Sequence, residues 1–175
     1  MPEAPIRLNG SALSDRCEEP ENGSAQTVSY TFPKRMYLLS SPCALYSAFD
    51  RSDMLLKVVC SGNKQTFYSA ADEAEAEIRF GKNEAEMVFP DGTEILRFSK
   101  GEAAFGADSA YEAVYTCSGR EYPIILKKGK VIAEFFPIPE DKNACGALAA
   151  SRREVAEATA VYCALERLRD ADTRL

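Results

Sequence analysis

The chain has 175 residues, of which 27% are charged and 46% hydrophobic, and it carries a net charge of −6 with no histidine. Such a composition suits one globular domain with a real core, and the acidic balance with no basic tail argues against nonspecific nucleic-acid binding. The lack of histidine excludes a Ser-His-Asp or Cys-His centre, histidine metal ligation and the usual physiological-pH switch.

Residues 1–27 are poor in large apolar groups and rich in Glu, Pro, Gly and Ser, so they read as a flexible N-terminal arm with a short ordered piece at Ile6–Leu8. The start, Met1-Pro-Glu-Ala-Pro-Ile6, lacks the charged-then-apolar build of a signal peptide, and no run is long enough to span a bilayer. The six cysteines (Cys17, Cys43, Cys60, Cys117, Cys145, Cys163) show neither a CxxC pair nor zinc spacing. The expectation is a cytoplasmic protein with reduced thiols, with a nuclear or peripheral membrane location as the alternatives, and with no transmembrane segment, metal or cofactor.

From Val28 the texture changes to short β-type runs separated by turn signals. Strands are expected at Val28–Phe32, Met36–Leu39, Ala44–Phe49, Leu55–Cys60 and Gln65–Tyr68. Ala74–Phe80 alternates small or apolar with charged residues, the signature of a half-exposed strand, and places Glu73, Glu75 and Glu77 on one face. That row reads as a solvated outer face that discourages edge pairing rather than as paired catalytic carboxylates. Further strands are expected at Glu86–Phe89 and Glu94–Phe98, with a strand or loop over Gly101–Asp108 and a three-strand meander over Ala113–Cys117, Glu121–Lys127 and Val131–Phe136. Pro137–Gly146 reads as a loop because it carries two prolines. Ten to twelve short strands at this spacing argue a barrel or a sandwich.

The last segment is of another kind. Ser151 stands three residues before Glu154, the spacing of a reciprocal capping box, and predicts a helix over 151–168. Between Val155 and Leu165 the only charge is Glu157, and alanines recur around the whole circumference. A helix apolar nearly all round is a buried one, and eleven residues span about 16 Å, too short for a membrane. Its charged ends, Arg152–Glu154 and Glu166–Asp170, are expected at the surface.

Several features line up in order: Tyr37-Leu-Leu-Ser-Ser-Pro42, the Asp50/Asp53 turn before Leu55-Leu-Lys-Val-Val59, Ile78-Arg-Phe80, Ser118-Gly-Arg-Glu-Tyr122, Val131-Ile-Ala-Glu-Phe135, and Glu154–Tyr162 running on to Leu165-Glu-Arg-Leu-Arg169. Over residues 36–170 this order resembles an uncharacterised branch of small fungal proteins in the tubby C-terminal-like superfamily, which also holds the LURP-one-related proteins and the phospholipid scramblases. Pro123 stands where the fungal sequences carry Trp. The resemblance implies a mainly β (α+β) fold, a closed antiparallel β-barrel of about 10–12 short strands over residues 28–170 with the C-terminal helix through its centre.

Candidate chemistry is sparse. Gly101–Gly106 has the outer glycines of a P-loop but no Lys after them, so it lacks a phosphate clamp. Asp141-Lys-Asn-Ala-Cys-Gly146 imitates the start of a calcium loop but puts Cys145 at position five and Arg152 at position twelve. No catalytic residue is named. Tubby proteins bind phosphoinositide headgroups through basic barrel residues, and the nearest analogue is the turn at Lys127, Lys128 and Lys130, a candidate anionic-ligand site which Lys34 and Arg35 could join. The leading reading is a non-enzymatic binding module for an anionic phospholipid headgroup or a protein partner. The competing classes are an enzyme with a His-free pocket using Asp, Glu, Cys or Lys, and a purely structural or interaction protein.

Overall fold

Alternating burial builds most of this structure. The computed structural model describes residues 26–38, 42–99, 102–115 and 122–173, with side chains of the last helix up to Arg169. Nearly all of the 1–27 arm, Cys17, Cys117 and residues 118–121 lie outside the described residues.

The strands are β1 (Val28–Pro33), β2 (Cys43–Tyr46), β3 (Met54–Ser61), β4 (Lys64–Tyr68), β5 (Ala74–Gly81) and β6 (Glu84–Phe89). They continue as β7 (Gly92–Ser99), β8 (Glu102–Phe105), β9 (Tyr111–Tyr115), β10 (Pro123–Lys127), β11 (Lys130–Ile138) and β12 (Asp141–Ala149), and the chain closes with the helix α1 (Val155–Thr173). In β5 the alternation works as expected: Ala76, Ile78 and Phe80 are buried while the Glu side of the strand stays accessible. Met36–Leu38, expected as a strand, is a 3-10 turn with Met36 fully buried.

Two antiparallel sheets result. One has the order β1-β12-β11-β10-β9, the other β2-β3-β4-β5-β6-β7-β8. The expected closed barrel is therefore not what forms: neither sheet closes, and α1 is held between them. The ladder breaks at two links between consecutive strands, β1–β2 and β8–β9. Between β1 and β2 lie the 3-10 turn and residues 39–42, and among the described residues the backbones of the two sheets are joined there at the bridge Tyr30↔Ser47 and by the Ala48 N–H bond to the Ser29 carbonyl, 2.8 Å. Between β8 and β9 the connection Gly106–Ala110 carries no ladder across. Link length alone does not decide this, because the β2–β3 and β4–β5 links, Ser47–Asp53 and Ser69–Glu73, still join laddered strands.

The helix reading holds. Val155, Ala156, Ala158 and every residue from Ala160 to Leu165 are buried, and α1 packs against strands of both sheets. Thr159 is buried with its hydroxyl donating to the Val155 carbonyl (2.6 Å) and accepting from the Tyr30 hydroxyl (2.7 Å), so these two buried hydroxyls are satisfied. The start differs from the capping box. Ser151 Oγ bonds the Glu154 carboxylate rather than a backbone N–H, and Arg152–Glu154 form a 3-10 turn before the α-helix begins. Glu166, expected at the surface, is only 13% exposed and pairs with Arg169 at 3.2 Å.

The largest departure is β12, in a segment expected to be mostly loop. From Ala144 on its residues are mostly small, because it lies between β1 and β11 and a Cβ on Gly146 would run into the Phe136 ring. Pro137 is accommodated at a register shift in β11.

Candidate functional site

The β10–β11 turn is a two-residue hairpin with Lys128 at φ +52° and Gly129 at φ +80°, the mirror-turn geometry that glycine favours. The three lysines differ in their surroundings, although Lys127 and Lys130 pair directly across the hairpin. Lys128 and Lys130 point into solvent, whereas Lys127 is half-buried and donates to Asp91 and, at 2.7 Å, to Glu157. Its ammonium also lies 5.7 Å from the centre of the Tyr111 ring. Lys34 does not join the turn. It sits over Tyr122, just before the opposite end of β10 and about 17 Å from Lys127 at a strand's rise of 3.3 Å per residue.

Lys127 stands in the wall of a cleft of about 510 Å³ at the N-terminal end of α1. Glu73 and Glu75 approach from the start of β5, Asp91 from the β6–β7 turn, and Arg153, Glu154 and Glu157 from the helix start. Five carboxylates thus face two cations. Tyr111 donates its hydroxyl to Glu157, which makes Tyr111, Glu157, Lys127 and Asp91 one continuous network.

The electrostatics follow from that crowding. Burial works against the charge on Lys127, but the bonds to Asp91 and Glu157 outweigh it and raise its pKa, so the side chain is an ammonium ion at neutral pH. The same contact lowers the Asp91 carboxyl. Glu75 is raised, by burial first and then by Glu73 and Glu157. Burial and the bond to Glu157 push the Tyr111 phenol upward. Among the described residues no Ser, Thr or Cys lines the cleft, and a lysine held charged is no nucleophile.

A second hollow of about 460 Å³ shares Glu75 and Arg153 with the cleft and continues over Leu55, Ala70, Ala71 and Ala156. Arg152 at its rim is tied to Asp53 of the β2–β3 turn. Acidic and apolar halves therefore adjoin at the helix start.

No family model matches the chain, and no curated protein does. Among solved structures, the X-ray structure of a protein from Arabidopsis thaliana matches with a TM-score of 0.53 and 9% identity, covering 88% of this chain and 96% of that one. At that identity the likeness speaks for the fold alone.

Glu157 and Asp91 are the site residues that sequence reasoning passed over. The signal for Glu157 was present: it is the lone charge in a buried run, and a charge in such a place needs partners. Asp91 gave no signal beyond a turn, because its role depends on β6–β7 lying beside β10. The calcium-loop imitation is accounted for locally, since Asp141 accepts from the Asn143 N–H at 2.9 Å within its own hairpin.

Lys127→Ala is expected to destabilise by about 2 kcal/mol, because it leaves Asp91 and Glu157 facing each other without a cation. Lys128→Ala and Lys130→Ala should each change stability by less than about 0.5 kcal/mol. Urea unfolding of the three variants checks this, and equal effects would mean that Lys127 is not paired in solution.

Proposed function

We propose that this protein is a non-enzymatic binding module that holds a basic segment of a protein partner in the acidic cleft. The observation that carries the reading is the convergence of five carboxylates and only two cations on one concave surface. The adjoining apolar hollow gives a neighbouring aliphatic side chain a place to anchor. Glu75 adds support, because burial and two like charges make its ionised form costly, and groups held against stability are characteristic of sites. The enzyme reading is weaker, since among the described residues the cleft's lysine is kept charged and no thiol or hydroxyl lines it.

An anionic headgroup at Lys128 and Lys130 is the second reading, favoured by their exposure on the hairpin tip. Two lysines contribute about 1 kcal/mol each near an anionic surface, and the neighbouring carboxylates oppose that attraction. Kinship with the tubby C-terminal-like superfamily is part of the proposal; a buried C-terminal helix that follows a run of antiparallel strands supports it. A cytoplasmic location goes with it, supported by the four described cysteines, Cys43, Cys60, Cys145 and Cys163, which are free thiols. No helix of the described residues is long and apolar enough to cross a membrane.

The test uses a fluorescent Leu-Lys-Arg-Lys-Leu peptide, the same peptide with Glu at the basic positions, and phosphatidylserine vesicles. The basic peptide is expected to bind with affinity that falls as salt rises. Glu73→Gln with Glu75→Gln should weaken it by about tenfold, through lost charge attraction, without lowering thermal stability. Vesicle binding without peptide binding moves the function to the lysine tip; binding of neither overturns the module as described.

A further inference from the structure

The two sheets also face each other across a second opening. β8 is an edge of one sheet and β9 an edge of the other, and between them lies a cleft of about 570 Å³. The connection Gly106–Ala110 joins the two strands, with the Phe105 and Tyr111 rings 6.0 Å apart beside it.

The register tells which backbone groups point into this opening. The Gly106 N–H bonds to the Ile95 carbonyl, so in the β7–β8 ladder the hydrogen-bonded pairs continue at Arg97↔Ala104 and Ser99↔Glu102. Ala103 and Phe105 therefore turn their N–H and C=O groups away from β7 and into the cleft. On the other side the Lys128 N–H bonds to the Ala110 carbonyl, so Glu112↔Leu126 and Val114↔Ile124 are the bonded pairs. Pro123, which has no N–H, fits its place opposite Tyr115 in a non-bonded pair. Ala113 and Tyr115 then present their backbone groups to the cleft as well, while the Tyr111 N–H is already taken by Ser109 Oγ at 3.0 Å.

We propose that this seam is a slot for an extended segment of a partner polypeptide, which adds as a strand to β8 on one side and β9 on the other. A chain in β conformation offers donors and acceptors on both of its edges at the strand repeat, which is what two facing unpaired edges require. The partner's side-chain pattern follows from the two faces of the slot. On the core side Ala103 and Ala113 are small and leave room for apolar side chains. On the outer side Glu102 and Glu112 are exposed, one on each flanking strand, and favour basic residues along the strands, away from Lys128 at the hairpin end of the cleft. The segment is thus alternately apolar and basic. The reading stands apart from the acidic cleft, because backbone groups carry it and not Glu73, Glu75, Asp91 or Glu157.

Hydrogen exchange on the full chain tests it, with the peptide acetyl-Lys-Val-Lys-Val-Lys-Val-Lys-amide as the probe. The amides of Ala103, Phe105, Ala113 and Tyr115 are expected to slow when the peptide is added. The same peptide N-methylated at its valines should bind at least about tenfold more weakly, since it loses the backbone donors of one edge. Ala113→Pro, which removes a donor facing the slot and none from the β9–β10 ladder, should weaken the parent peptide comparably while circular dichroism and the melting midpoint show that it folds. Glu73→Gln with Glu75→Gln should leave the amide protection in place, so that the two sites fail or succeed separately. The proposal is overturned if the peptide does not bind, if it binds without slowing those amides, or if N-methylation makes no difference. Protection of the same amides by raised protein concentration alone would put a second copy in the slot and overturn the choice of partner.

Discussion

Ala160→Arg is expected to cost roughly 3–5 kcal/mol, a large part of the 5–15 kcal/mol that stabilises a typical domain. Ala160 is wholly buried in the middle of α1, where strands of both sheets close on the helix. An arginine there would place an unpartnered charge in the core and would overfill a space sized for a methyl group. Urea unfolding measures the effect, and a change below about 1 kcal/mol would show that the site reaches solvent. A chain ending at Ala150 extends the test. The Ala and Val face of α1 fills the space between the sheets, and without it the truncated chain should lose its cooperative thermal transition. If that transition persists near the parent's midpoint, α1 is an appendage and not the filling of the fold.

Stability is expected to fall steeply from about pH 9 upward. Burial pushes the Cys145 thiol up from 9.0 to about 12, and the fully buried Cys163 well above its ordinary value. Burial likewise raises the phenols of Tyr30, Tyr111 and Tyr162. For each group the folded pKa exceeds the unfolded one. Its contribution is complete below the unfolded pKa; as pH rises toward the folded pKa, the unfolded chain releases its proton first and the contribution is lost. Each such group costs up to 1.36 kcal/mol per pH unit within its window. Lys127 acts with the same sign, since its pKa is also raised. Denaturant midpoints at pH 8, 9, 10 and 11 should therefore descend with increasing slope, and Cys145→Ala should remove one group's share between pH 9 and 12. A flat profile would mean that these groups titrate freely, and hence that the core is open to water.

Much of the local structure could be read from residue order, because two periodicities are robust. Ala74–Phe80 alternates with period two and forms β5, and the nearly uncharged run from Val155 to Leu165 is buried as α1. Hairpin signals such as Lys128-Gly129 fall where strands pair in register. Failures came where small residues or prolines hide a strand. In β12, Cys145-Gly-Ala-Leu-Ala149 has little β propensity by itself, and only its place between β1 and β11 makes it a strand. Met36–Leu38 looked extended, yet burial of Met36 and Tyr37 beneath a turn decided otherwise.

Whether the sheets close was beyond the reach of periodicity, since alternation fixes which face of a strand is buried but not which strand lies at an edge. Tertiary structure decided that β8 and β9 stand apart, and so created the seam whose backbone groups are turned inward. It also decided the fate of the three lysines. Their adjacency in sequence suggested a basic patch, but the fold brings Asp91 and Glu157 to Lys127 alone and leaves Lys128 and Lys130 in solvent. Charge in a sequence is a count; its sign at a site depends on which distant carboxylates the fold brings within a few ångströms, and here Glu73, Glu75, Asp91 and Glu157 come from three separate segments to make that site acidic.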